Sequence, residues 1–247
     1  MKSLLERPVV IALLAGAAVV AAALALPLLH MADLVQPAGG APPPAADGLP
    51  WQVQRQGAAI SIFGLQLPGS TLADARQRWG DGLQLAVMAR RGEPGALEAY
   101  IERFDGGGLG GRLLLATELP AERLAQLREN AAKSEPVDAD TRRYRLRAVD
   151  IAATAGAPLT GITFIAAANL DAATLRERFG VPAERWRQQG HGARLEHWLY
   201  PERGLAIVLD AQGREVLQYV APADFERRLR APLLKAGAVP AMDLPAS

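Results

Sequence analysis

Glu98 and Glu102, Ser70, His191 and His197 are among the few side chains of this 247-residue chain whose types and spacing bear on catalysis. A glycosidase-type carboxylate pair has to flank a cleft, with at least one acid buried. Glu98 and Glu102 fall on one face of an expected strand with no sign of either condition, and Asp210 falls in a turn. Zinc takes four ligands in fixed geometry. The histidines are His30, His191 and His197, with no cysteine and no H-E-x-x-H, so no metal site and no thiol nucleophile are expected. Ser70 follows Pro68-Gly69 and precedes Thr71, which reads as the capped start of a helix rather than a nucleophile elbow. Residues 106–111 formally contain G-x-G-x-x-G, but a dinucleotide fingerprint follows a strand and opens a helix. Here strand-like Arg112-Leu113-Leu114-Leu115 comes next, so a hairpin loop is expected. No catalytic residue and no cofactor follow from these patterns. The aromatics Trp186, Trp198, Tyr200 and Tyr219 fall on neighbouring strands, either as core or as an exposed face that recognises a protein partner.

The elements that position these residues occur twice. Thr71-Leu72-Ala73-Asp74-Ala75-Arg76-Gln77-Arg78-Trp79-Gly80 aligns with Asp171-Ala172-Ala173-Thr174-Leu175-Arg176-Glu177-Arg178-Phe179-Gly180. Each begins with an N-cap residue and ends on an aromatic followed by glycine. Leu72, Ala75 and Trp79, like Ala172, Leu175 and Phe179, share one helical face. Strands are expected over 83–89, 97–103 and 111–117 after the first helix, and over 184–188, 193–200, 205–209 and 215–220 after the second. Glycine-bearing hairpins join the later set. Residues 142–151, where Tyr144, Leu146 and Ala148 alternate with other side chains, suit a half-exposed strand bridging the two halves. Helices on one face of an antiparallel sheet make each half an α+β module.

Residues 9–29 are almost wholly apolar, and a helix of that length reaches roughly 30 Å, enough to cross a bilayer. Lys2 and Arg7 precede it and no Lys or Arg follows until Arg55. The positive-inside rule then puts residues 1–8 in the cytoplasm and the remainder outside, anchored in the inner membrane and facing the periplasm. Cleavage after Ala23-Leu24-Ala25 would leave an apolar new terminus, so an uncleaved single-pass anchor is preferred. A linker rich in Pro, Ala and Gly (30–50) precedes modules over 51–135 and 136–235 and a tail over 236–247. The formal net charge of +1 gives no reason to expect nucleic acid as a partner.

The second half resembles the SmpA/OmlA (BamE-like) domain. The resemblance rests on Phe179-Gly180-Val181-Pro182, Trp198-Leu199-Tyr200 and Asp210-Ala211-Gln212-Gly213, and the tandem is similar to the beta-lactamase inhibitor protein fold. It implies a non-enzymatic envelope protein that binds or braces other proteins. Envelope members of the family are usually anchored by a lipidated cysteine, which this chain lacks. The expectation is therefore an α+β protein with an N-terminal transmembrane helix and two repeated helix–antiparallel-sheet modules, tethered to the membrane and acting as a protein-binding or scaffold module. The alternatives are an envelope hydrolase with an unfamiliar active site and an exported soluble binder or inhibitor.

Overall fold

The computed structural model describes residues 48–190, 193–210 and 215–241. It opens on a three-stranded antiparallel sheet of β1 (Gln54–Gln56), β2 (Ala59–Ile62) and β3 (Leu65–Leu67). Ile62 pairs with Leu65 across a two-residue turn, and both turn residues have positive φ, 52° at Phe63 and 74° at Gly64. That is the requirement of a type I′ hairpin, which a phenylalanine meets only at a cost in strain. The compensation is burial: the Phe63 ring lies 5.0 Å from Phe104, 5.7 Å from Phe164 and 6.2 Å from Tyr219 between centroids.

Helix α1 (Leu72–Trp79) follows, closed by a capping box in which the Thr71 N–H donates to Asp74 Oδ2 at 2.7 Å. Next come β4 (Gln84–Arg90), β5 (Ala96–Gly106), β6 (Leu109–Thr117) and α2 (Ala121–Glu129). The hairpin β7 (Lys133–Pro136) and β8 (Thr141–Arg145) spans the 135/136 boundary between the expected modules. The bridge expected to be a strand over 142–151 is one only through Arg145. From Ala148 it is α3 (Ala148–Ala153), whose first turn is tied by Arg147 Nε donating to Asp150 at 2.7 Å. The second half comprises β9 (Leu159–Ala166), α4 (Ala172–Phe179), β10 (Glu184–Gly190), β11 (Ala193–Tyr200), β12 (Leu205–Asp210) and β13 (Glu215–Tyr219). A helical stretch over 222–235 contains a π-helical turn, Glu226–Arg230, and ends in α5 (Ala231–Lys235). Strand β14 (Val239–Pro240), inside the stretch expected to be a tail, pairs with Trp186 and Arg187.

The α+β expectation is corrected. Strands dominate, and one eleven-stranded sheet runs through both halves in the order β14-β10-β11-β12-β13-β9-β6-β5-β4-β8-β7. The halves fuse because β6 and β9 hydrogen-bond along their length, from Gly111 opposite Ala166 to Thr117 opposite Leu159. The membrane and single-pass reading is corrected with it. The longest described α-helix has nine residues, a rise of about 14 Å, and no described helix is long and apolar enough to cross a membrane. Residues 9–29, on which that expectation rested, lie outside the described residues.

Strand alternation gives the large sheet two faces. On the core face, a row of paired residues crosses both halves: Ile101, Leu113, Phe164, Leu217, Ile207 and Trp198. Helices α1, α2 and α4 and the small sheet cover this face with Leu72, Trp79, Leu124, Leu175, Phe179 and Phe63. The other is the far face.

Candidate functional site

The structure separates the four aromatics. Trp198, Tyr200 and Tyr219 lie on the core face and are buried, while Trp186 points to the far face and is half-buried. An exposed recognition face made of all four is therefore corrected: α4 lies over Trp198 and Tyr200. The Arg176 guanidinium sits 5.7 Å from the Trp198 ring and the Phe179 ring 6.2 Å from that of Tyr200. Their polar ends are satisfied inside the fold. Trp198 Nε1 donates to Glu196 at 2.7 Å, Tyr200 to the Gly180 carbonyl at 3.0 Å and Tyr219 to the Pro50 carbonyl at 2.6 Å.

The residues weighed for catalysis do not converge. Ser70 Oγ accepts the Gln66 N–H at 3.0 Å beside the start of α1. The G-x-G-x-x-G stretch is the β5–β6 hairpin, with Gly107 and Gly108 at φ 68° and 91° and the Gly108 N–H donating to Asp105 at 2.6 Å. His30 and His191 lie outside the described residues. His197 is buried on the far face, 3.2 Å from Gln188 Oε1, and burial lowers its pKa to about 4 against a weaker opposing pull from Glu196. Among the described residues no group of three or more His, Cys, Asp or Glu is placed to hold a metal.

The far face holds the arrangement that strand patterning alone did not bring out. Near β10–β12 the helical stretch covers it, with Phe225, Leu229 and Leu233 packed on Leu199, Ala206 and Val220. Its centre is a second apolar cluster of Leu114, Ile165, Val208 and Val216, flanked by half-buried Tyr100 and Leu195. Every one of those residues belongs to a strand, and no described helix or loop contributes to the cluster.

Buried polar side chains border this cluster. Thr163 and Gln218 stand opposite one another on β9 and β13. Glu98 stands between Ala86 and Ala116 and is 3% exposed, with neither carboxylate oxygen hydrogen-bonded. Burial pushes its carboxyl well above the ordinary range, and the charge of Arg143 offsets only part of that. The Arg143 guanidinium lies 5.7 Å from the Tyr100 ring, and the Tyr100 hydroxyl donates to Gln84 Oε1 at 2.7 Å. Arg143 Nε and Gln218 Nε2 are also buried without a hydrogen-bond partner. Among the described residues, four of the buried side-chain atoms in that condition belong to Glu98, Arg143 and Gln218. Such atoms are rare in folded proteins because each forfeits its hydration, so their gathering on one face is informative.

Comparison with protein-family models, with curated proteins and with solved structures gives no match. The resemblance to the BamE-like domain therefore rests on the motifs of the second half alone.

Proposed function

We propose that this protein is a non-enzymatic protein-binding module and that it engages its partner through the centre of the far face. The observation carrying this reading is the strand-borne apolar cluster of Leu114, Ile165, Val208 and Val216, itself buried, whose half-buried flanks Tyr100 and Leu195 are the apolar surface a partner would meet. Sheet faces in two-layer folds are covered by other elements of the chain or serve as surfaces for something else. The rim supports a specific partner rather than indiscriminate adhesion. Arg112 pairs with Glu102 at 3.2 Å and Arg145 with Glu135 at 3.1 Å, so charges around an apolar centre are held in fixed places. The BamE-like resemblance points to the same class of role.

The test is cross-linking of the tagged full chain in cells, followed by identification of the attached proteins. Leu195→Arg places a charge at the half-buried rim of the cluster, and Val149→Arg places one on an exposed apolar residue of α3. Loss of a reproducible cross-link in the first variant and its retention in the second is the expected result, with unchanged circular dichroism in both. An identical cross-link pattern in the two variants sinks the reading.

A further inference from the structure

The outermost strands of the large sheet form a hairpin that is tied firmly within itself and lightly to its surroundings. Inside β7–β8, Arg142 Nε donates to Ser134 Oγ at 2.9 Å, and Glu135 takes Arg145 at 3.1 Å and Lys133 at 2.6 Å. Among the described residues β7 pairs only with β8, and the hairpin joins the sheet through one register, from Ala86 opposite Arg145 to Arg90 opposite Thr141. Side chains add to this: Arg128 lies 5.2 Å from the Tyr144 ring, and on the far face Val137 clusters with Ala86 and Met88. An edge unit of this kind opens locally at lower cost than the whole domain unfolds.

Glu98 lies beside this edge. Its register neighbours are Ala86 on β4 and Ala116 on β6, and Arg143 of β8 stands opposite Met88, the next far-face residue of β4. Ala86, Met88, Val137 and Arg143 are all buried with it, and neither carboxyl oxygen of Glu98 is hydrogen-bonded. An ionised carboxylate there has neither water nor a bonded cation, so the closed arrangement suits the neutral acid. The basic groups on this face are Arg90 on β4, Arg112 on β6, Arg143 and Arg145 on β8 and Lys133 on β7. The acidic ones are Glu102 and the Tyr100 phenol on β5, Glu135 on β7 and Asp138 in the hairpin turn. Glu102 and Glu135 engage Arg112, Arg145 and Lys133. Arg143 draws the Glu98 carboxyl down, against a larger upward effect of burial.

We propose that the β7–β8 hairpin is a pH-sensitive flap, closed over Glu98 while that carboxyl keeps its proton and lifting as the carboxyl ionises. Opening releases one proton between the ordinary carboxyl value of 4.5 and the raised value of the closed form. Each pH unit in that interval therefore favours opening about tenfold. The neighbours leave the range from pH 6 to pH 8 to Glu98. Arginine stays charged, burial raises the Tyr100 phenol above its ordinary 10, and the Lys133 hydrogen bond holds Glu135 below the usual carboxylate range. Lifting also withdraws Arg143 from the Tyr100 ring, a flank of the surface proposed above for a partner. That consequence rests on the binding reading, whereas the flap itself does not.

Amide hydrogen exchange of the full chain tests the flap at pH 6, 7 and 8, with rates corrected for the intrinsic pH dependence of exchange. In the unaltered protein the opening constant of the β8 amides should rise about tenfold or more from pH 6 to pH 8. Those amides should also exchange faster than the β12 amides at pH 8, which marks a local event rather than global unfolding. Glu98→Gln keeps a neutral polar group of the same size and should show no such rise; if it does not fold, Glu98→Leu supplies the comparison that does not titrate. A flat β8 constant in the unaltered protein, an equal rise in the variant, or β8 and β12 exchanging together throughout overturns the proposal. If β8 behaves as expected but the cellular cross-link is insensitive to Leu195→Arg, the flap stands and the binding reading falls.

Discussion

Acidification should weaken this protein through His197, and the size of the effect follows from its surroundings. The imidazole is buried and bonded to Gln188, whose amide in turn donates to the Ala236 carbonyl at 3.4 Å. Burial lowers its pKa from the ordinary 6.5 to about 4. Between those values the unfolded chain binds a proton that the folded chain refuses. Stability therefore falls as pH drops through that window and levels off below about 4. The full interval is worth about 3 kcal/mol, and about 2 kcal/mol of it is already lost at pH 5. Glu98 acts with the opposite sign. Its raised carboxyl keeps a proton in the folded state, and the stability this gives, complete at low pH, is lost as pH rises through the folded value. The comparison that isolates His197 is urea denaturation of the unaltered protein and His197→Gln, each at pH 7 and pH 5. Glutamine keeps a polar partner for Gln188 and does not titrate, and every other group contributes equally to both proteins. The unaltered protein should lose about 2 kcal/mol more than the variant between the two pH values. Equal losses would mean that His197 is solvated or charged in the folded state, and the burial argument would be wrong.

Trp198→Ala, at a position 1% exposed beneath α4, should cost about 3–5 kcal/mol in urea denaturation, and a loss under 1 kcal/mol would place the ring at the surface. Gly111→Ala should destabilise by about 1–3 kcal/mol, because a Cβ there meets the Ile165 carbonyl at 2.4 Å and the Phe164 ring at 2.5 Å. Unchanged stability would show that β6 and β9 separate more readily than their pairing implies.

Local signals in the sequence mapped well onto local structure. Thr71 and Asp171 cap α1 and α4 with their side chains, Trp79 and Phe179 end those helices inside the core, and β11 spans the residues expected of it. Hairpins are set by the chain within a few residues, so their positions were legible. The far face was not, because β9 and β13 are buried on both sides and their sequences carry no regular alternation to separate one face from the other. Arg143 reads as an ordinary charge in Thr141-Arg142-Arg143-Tyr144-Arg145. Only the pairing of β8 with β4 brings it near Glu98, and no local pattern encodes that pairing. The single sheet was hidden for the same reason: the β6–β9 contact joins segments about 50 residues apart. Phe63 gave no warning either, since a type I′ turn is signalled by Asn or Gly at its first position.

The Phe63 turn has a consequence for the order in which the protein is made. Its ring is held by Phe104 from the first half and by Phe164 and Tyr219 from the second, and the Tyr219 hydroxyl reaches Pro50, 169 positions earlier. While the chain emerges from the ribosome, the segment leading into β1 and the Phe63 turn appear long before β13, yet they cannot settle until it follows. The strained turn thus waits through most of synthesis with an aromatic ring still unhoused. Long-range closure of this kind slows folding and leaves apolar surface exposed meanwhile. A nascent chain halted before Tyr219 should therefore be a better chaperone substrate than its length alone implies, and β13, rather than either half, commits the molecule to its native state.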